Sequence, residues 1–283
     1  MRIEAAQVVN AAGAWAREVA LLAAAPIDMT YSKGTLLVTH SRLAGRVVNR
    51  LRRPGNADIM MPGGTVSIVG TTSTRVEALD DIHPTTADAD LIVEEAARML
   101  PALATMRFIR AYAGVRPLLG SSGAADSRSV SRGFALFDHE DHGLDNLATI
   151  TGGKLTTCRL MAERAADLVC RRLGVTRPCL TATTPLPAVP ECAWTTPGRS
   201  AREWMRSHGS HDTLLCECEM VPGSTVDAIF DALRSAGDTP TLTDLGLRSR
   251  VGKGACQGGF CAVRTVAHLY QRGDFHAQRG LAE

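Results

Sequence analysis

Thr149-Ile150-Thr151-Gly152-Gly153-Lys154-Leu155-Thr156-Thr157-Cys158-Arg159 reads as a buried-type strand that ends in two glycines and feeds a helix. The first turn of such a helix carries amide groups without intrahelical partners, and Lys154 adds a full positive charge beside them. Negative charge is what this end would accept. Val8-Val9-Asn10-Ala11-Ala12-Gly13-Ala14-Trp15 repeats the shape, a strand running into small residues and then a helix, which lets a ligand lie against bare backbone. An alanine-rich turn is more often only tight packing, so it gains weight from the first. In Tyr112-Ala113-Gly114-Val115-Arg116-Pro117-Leu118 an arginine follows an apolar strand and is fixed by the next residue, proline. Its fork suits phosphate or carboxylate. A lone arginine is usually a surface ion-pair former, and this one too is read by its company.

Outward from these turns the chain alternates. Strands are expected over 7–10, 35–39, 46–51, 58–61, 66–69, 108–115, 134–137 and 147–151, and helices over 15–25, 88–100 and 154–173. Residues 175–200 then hold Pro178, Pro185, Pro187, Pro190 and Pro197, a connecting composition. The expected division is a first domain over 1–182, a Pro-rich linker over 183–204, a small helical domain over 205–275 and a tail over 276–283. Within the small domain Ser224 is expected to cap a helix over 226–233, residues 243–247 to form a short turn, and 260–271 the last helix.

Composition narrows the class. The 283 residues are 45% hydrophobic and 21% charged, which excludes disordered and collagen-like chains. A net charge of +2 without charge blocks lacks the basic footprint of nucleic-acid binding. The apolar stretch near the start is broken by Arg17 and Glu18 before it reaches membrane-spanning length, and no signal peptide is expected. Only 4% of residues are aromatic, so an aliphatic core is expected.

The eight cysteines divide in two. Cys158, Cys170, Cys179 and Cys192 follow no repeating spacing and are expected to be reduced and mostly buried. Cys216 and Cys218 form a C-x-C, and Cys256 and Cys261 a C-x4-C, each pair tight enough to share a metal centre. Gly252, Gly254, Gly258 and Gly259 around Cys256 let backbone amides approach sulfur, and Arg248, Arg250 and Lys253 add positive charge. Four sulfurs in two pairs also suit tetrahedral zinc, although C-x-C is less usual there than a longer gap. The arrangement resembles the bacterioferritin-associated-ferredoxin-like [2Fe-2S] domain, with a wider second pair than in the free-standing ferredoxin.

Taken with Tyr31-Ser32-Lys33-Gly34-Thr35, Ile68-Val69-Gly70-Thr71-Thr72-Ser73 and Ser131-Arg132-Gly133, the three turns resemble FAD-dependent glycerol-3-phosphate dehydrogenases of the D-amino-acid-oxidase-like superfamily. The cysteine module narrows the resemblance to the catalytic A subunit of the anaerobic enzymes. The resemblance implies an α/β (α+β) FAD-dependent oxidoreductase domain, incomplete at its amino end, followed by a small helical iron–sulfur domain. It implies oxidation of sn-glycerol 3-phosphate to dihydroxyacetone phosphate, with hydride passing from C2 to flavin N5 and electrons onward to a quinone. Arg116 would take the substrate phosphate and Lys154 would lie between substrate and flavin, the two expected catalytic residues. Ala11, Ala12, Gly13, Gly152, Gly153, Lys154, Leu155 and Thr156 would line FAD, and Cys216, Cys218, Cys256 and Cys261 would hold the [2Fe-2S] cluster. Implied partners are sn-glycerol 3-phosphate, flavin and iron–sulfur membrane-anchor subunits, and indirectly a quinone. The implied location is the cytoplasmic face of the inner membrane, peripheral through those subunits.

No general base can be named. His139, in Asp138-His139-Glu140-Asp141-His142, is tempting, but such clusters are more often solvated loop. The superfamily's G-x-G-x-x-G cradle for the ADP half of FAD is not in the sequence, and the expectation is a truncated reading frame or one half of a split gene, with weak or absent FAD binding by this polypeptide alone. Two alternatives stay open: a cluster-fused flavin oxidoreductase for an amino or hydroxy acid, and a non-catalytic electron-transfer module.

Overall fold

The computed structural model describes residues 2–80, 82–120, 133–185, 205–254 and 256–274. Ser131, Arg132, Cys192, the linker from 186 to 204 and the tail from 276 lie outside them. The chain begins with β1 (Val8–Asn10), a 3-10 turn (Gly13–Trp15) and α1 (Ala16–Leu22). β2 (Met29–Thr39), β3 (Val48–Asn49), β4 (Ile59–Gly63), β5 (Val66–Gly70) and β6 (Thr74–Val76) follow, then α2 (Thr86–Ala97) and β7 (Phe108–Leu119). β8 (Phe134–Asp138), β9 (Leu147–Gly152) and α3 (Cys158–Arg172) precede β10 (Leu214–Cys216), β11 (Val221–Pro222), α4 (Gly223–Ser235), α5 (Leu242–Ser249) and α6 (Cys261–Gln271).

These elements form two compact units. The first comprises Met1–Thr35, Thr71–Asp88 and Tyr112–Pro187, and the second Leu36–Gly70, Ala89–Ala111 and Ala188–Glu283. Residues 36–70 and 89–111 therefore group with the cysteine-bearing stretch rather than with the rest of the first 182 residues.

In the first unit β9 lies between β1, which pairs with it in parallel from Val8↔Leu147 to Asn10↔Thr149, and β8, which pairs antiparallel. β9 is buried at every residue but its last, and α1 and α3 both pack on it. This explains the unbroken apolar and threonine run, since a strand covered on both faces has no solvent side to alternate with. Ala14, Ala16, Ala20, Ile27, Met29 and Tyr31 form the neighbouring core, with Val115, Leu119 and Phe137 packed against them.

A buried polar chain fixes the β1–β9 pair. Asn10 Nδ2 donates to Ala16 O at 2.8 Å and to Thr149 Oγ1 at 3.2 Å, and its Oδ1 accepts from Ala12 N at 3.2 Å. Thr149 Oγ1 in turn lies 2.8 Å from His139 Nε2. Burial disfavours the charged form of this imidazole. His139 is 2% exposed, so it is not a solvated loop residue but a core histidine.

In the second unit the later half of β2 pairs with β5, β5 with β4 and β4 with β3, all antiparallel. Ile92 and Ala96 of α2 pack on Leu37, Met60 and Val69 of these strands. Arg50 and Arg52 both reach Glu95 at 2.9 Å, tying the same helix to β3 and the loop after it. A separate cluster around α4 places Val226, Ile229, Phe230 and Leu233, at the spacing of one helix face, against Leu215, Leu245 and Leu269.

Three element expectations are corrected. β2 is an eleven-residue strand that starts at Met29. Residues 243–247 belong to a two-turn helix, because Thr241 and Asp244 close a reciprocal cap: Thr241 Oγ1 accepts from Asp244 N at 3.2 Å, and Asp244 Oδ2 accepts from Thr241 N at 3.0 Å. Ser224 is not a cap; α4 starts one residue earlier, and the Ser224 hydroxyl donates to Asp212.

This packing sets two measurable outcomes. Ile229→Ala empties a fully buried site, and urea unfolding should show a loss of about 2–4 kcal/mol. Burial, then the charges of His142 and Arg172, hold the His139 pKa below 6.5, with Asp138 opposing. The unfolded chain takes up a proton near 6.5 that the folded chain refuses, so this contribution is complete above 6.5 and is lost as pH falls from there toward the depressed folded value. Unfolding curves recorded between about pH 7.5 and 5.5 should weaken toward acid, and less so for His139→Gln.

Candidate functional site

Because β1 and β9 run parallel, the turns that leave them emerge at the same edge, where ligands of open α/β sheets bind. Thr151 Oγ1 donates to Gly13 O at 3.0 Å and joins the two turns. Gly13 has φ +60° with open space where a Cβ would stand; Ala12 beside it is half-buried and Ala11 exposed. Gly152 and Gly153 both lie at positive φ, and a Cβ would stand 2.7 Å from Gly133 O at the first and 2.7 Å from Met161 Sδ at the second. Only glycine serves there. Thr157 closes the next turn, accepting from Lys154 N at 3.0 Å and donating to Lys154 O at 2.8 Å. The side chains of Lys154, Leu155 and Thr156 are exposed, Leu155 by 89%. Ala11, Ala12, Gly13, Gly152, Gly153, Lys154, Leu155 and Thr156 thus offer open backbone, one apolar side chain and one cation. That donor set fits the ring end of a flavin, a flat apolar body with an electron-rich edge.

Arg116 is seated by other segments of the same unit. On β7, Val115 and Leu119 enter the core, and Arg116, offset by one residue, takes the other face. Its Nη2 donates to Thr71 Oγ1 at 3.0 Å and its Nη1 to Thr72 O at 3.4 Å. The guanidinium lies directly over Gly34, so any Cβ at 34 would overlap it. Thr35 N donates to Thr72 Oγ1 at 2.9 Å, and Ser32 Oγ and Ser73 Oγ are 2.9 Å apart, which locks β2 to the segment bearing Thr71. Next to Gly34, Lys33 Nζ lies 2.7 Å from Asp88 Oδ2, both largely buried. Burial works to raise the Asp88 carboxyl, but Lys33 and the hydrogen bonds from Thr85 outweigh it and hold its pKa below 3.8. Sequence reading missed this pair. On the β9 side, Leu119 packs on Gly152, where a Cβ would stand 2.9 Å from its Cδ1, so the strand of Arg116 abuts the turn of Lys154.

The four spaced cysteines come together in the second unit. Cys216 ends β10 and Cys261 opens α6, both buried, while Cys218 and Cys256 are half-buried. Cys216 neighbours Cys261, and Cys256 neighbours both Cys218 and Cys261. Backbone amides of Glu219 and Gly252 face the Cys216 sulfur, that of Cys256 faces Cys218, and those of Gly258 and Phe260 face Cys256. Burial pushes the Cys216 thiol up to about 11. For Cys218 the Cys256 amide works downward, but burial and the neighbouring sulfurs raise it; the Gly258 amide leads in lowering Cys256. A Cβ at Gly254 would overlap Cys218 Cβ, so the loop closes only with glycine there. Among the described residues no group of three or more His, Cys, Asp or Glu side chains is arranged to hold a metal ion. Sulfurs converging under a set of amides fit a group that draws thiolate charge, a cluster or zinc alike. Cys158 and Cys179 are exposed and Cys170 half-buried, which corrects the expectation that the scattered thiols are mostly buried.

Residues 2–168 match the family model described as FAD dependent oxidoreductase, DAO. The chain is 42% identical over 291 residues to the A subunit of the anaerobic glycerol-3-phosphate dehydrogenase of Escherichia coli strain K12, covering 95% of this chain and 53% of that protein. It is 36% identical over 288 residues to the A1 subunit of the enzyme of that name from Haloferax volcanii, covering 94% and 48%. The chain thus spans about half the length of the curated relatives it matches. Among solved structures it is similar to a glycerol-3-phosphate dehydrogenase from Bacillus halodurans complexed with FAD, at 20% identity and a TM-score of 0.49, covering 94% of this chain and 56% of that one. The family model runs through both turns of the parallel pair and into α3, more than half of the sequence, and the chain belongs to the FAD dependent oxidoreductases.

Proposed function

We propose that this chain is part of a flavoprotein that oxidises sn-glycerol 3-phosphate to dihydroxyacetone phosphate and passes the electrons through a [2Fe-2S] cluster toward a quinone. The observation that carries the reading is 42% identity across 95% of the chain to a protein named for that dehydrogenase. FAD, when bound, supplies the two-electron acceptor. Arg116, already oriented by Thr71 and by the bare backbone of Gly34, offers a fixed fork to the phosphate dianion. Lys154 puts positive charge at the ring-binding turn, which lowers the cost of negative charge developing there. The open backbone of Ala11–Gly13 and Gly152–Thr156 lets the ring approach closely. Cys216, Cys218, Cys256 and Cys261 would hold the cluster, with the amides around the sulfurs offsetting its negative charge. No helix among the described residues is long and apolar enough to cross a membrane. Attachment to the cytoplasmic face of the inner membrane through iron–sulfur anchor subunits belongs to the same proposal.

The cluster is tested on the chain itself. Anaerobically purified protein should absorb in the visible and contain iron and sulfide in equal amounts; colourless protein with stoichiometric zinc would overturn it. The substrate is tested in a protein that also carries the additional half of the curated relatives. Glycerol 3-phosphate should reduce its flavin, and Arg116→Met should raise KM roughly 10- to 100-fold, with Arg116→Lys in between. Faster reduction by a 2-hydroxy or amino acid would shift the assignment to a carboxylate-binding oxidoreductase, for which the same arginine fork is suited.

A further inference from the structure

Behind the four cysteines lies a buried ion pair. Glu219, the residue after Cys218, is fully buried, and its Oε2 accepts from Arg250 Nε at 2.7 Å. Arg250 Nη2 donates to Gly63 O at 3.3 Å, and Thr65 Oγ1 lies 3.4 Å from Glu219 Oε1. The pair therefore sits on the tip of the β4–β5 hairpin. Gly64, at φ +78°, makes that seat possible: a Cβ there would stand 2.7 Å from Glu219 Oε2 and 3.1 Å from Arg250 Nε. The same carboxylate touches the other cysteine loop, since a Cβ at Gly254 would stand 3.3 Å from Glu219 Oε1.

The backbone is bent to allow this. Arg250 is held at φ +71°, Met220, next to Glu219, at +52° and Gln257, next to Cys256, at +49°. Such conformations cost a residue with a side chain free energy and persist only where the surroundings over-determine them. Arg250 is held by the pair, and Gln257 Oε1 accepts from Arg110 Nη1 of β7 at 3.0 Å. An uncompensated charge at Glu219 would be costly to bury, so a carboxylate placed here without its arginine would unseat the loop rather than support it.

We propose that Glu219 and Arg250 are positioning residues for the four-cysteine centre. They clamp the Cys216–Cys218 loop and the 250–259 loop to each other and to the hairpin tip, so that the sulfurs are gathered before any metal arrives. The carboxylate, on the residue next to Cys218, also offsets the electrostatic bias toward reduction that the Arg250 cation alone would impose on the centre. The proposal rests on the reading of the four cysteines as a metal centre, but its first arm does not need the metal.

In that arm the metal-free 283-residue chain is treated with iodoacetamide and alkylation of each cysteine is followed by mass spectrometry. Gly64→Ala, which pushes on the pair from the hairpin, and Glu219→Gln, which keeps its shape and removes its charge, should each speed modification of Cys216 and Cys261 by about tenfold with far-ultraviolet dichroism unchanged. Rates within about twofold of the parent in both variants would overturn the proposal. Should either variant lose its dichroism, Thr65→Val, which removes only the outer hydrogen bond, is read by the same criterion, with a smaller acceleration of about threefold expected and none overturning it. In the second arm the reconstituted chain is titrated redox-potentiometrically, and Glu219→Gln should raise the midpoint potential. An unchanged potential would overturn the electrostatic offset. If the parent binds no cluster, the metal-centre reading fails, while the alkylation rates still decide whether the clamp exists.

Discussion

Parallel pairing of β1 with β9 is the constraint from which the rest of the first unit derives. Two strands that run the same way leave the sheet at the same edge, and here both exits must turn immediately into helices. Asn10 makes the first exit possible by holding Ala12 N, Ala16 O and Thr149 Oγ1 at once. Positive-φ glycines at 152 and 153 make the second. The turns at 152 and 153 exclude larger side chains because Gly133, Leu119, Met161 and Thr157 already occupy the space a Cβ would need, so this edge presents mainly backbone, with Lys154, Leu155 and Thr156 exposed beside it.

The second unit solves an opposite problem. Its small core includes two thiols, Cys216 and Cys261, packed among leucine, isoleucine and phenylalanine. Apolar surroundings disfavour thiolate, and Cys216 is displaced strongly upward. Amides directed at the sulfurs partly offset that cost, and a bound cation would reverse it. The same rule of burial governs Lys33 with Asp88 and Arg250 with Glu219: each buried charge is matched at 2.7 Å.

Much of this was legible in the sequence. The run from Thr149 to Arg159 announces a strand, a glycine turn and a helix, and the structure has β9, a 3-10 turn and α3. The cysteine spacing singles out four of eight thiols, and these four converge. What could not be read is pairing across distance. Nothing in the residues around Lys33 indicates Asp88, or around Glu219 Arg250, since a single charge carries no period. His139 looked like a polar loop because its neighbours are charged; its depth depends on Thr149, ten residues away. The cap at Thr241 and Asp244 was available as a signal and would have lengthened the turn over 243–247 into α5.

Gly34 has a consequence beyond its own strand. The guanidinium of Arg116 occupies the volume a side chain at 34 would need, so the two positions share one space. They are therefore tied as a unit of inheritance. A lineage that gains even a methyl group at 34 must move or replace its arginine, and a lineage that abandons the arginine is released to fill position 34. Across homologous sequences, a side chain at position 34 should go with loss or displacement of the arginine at 116.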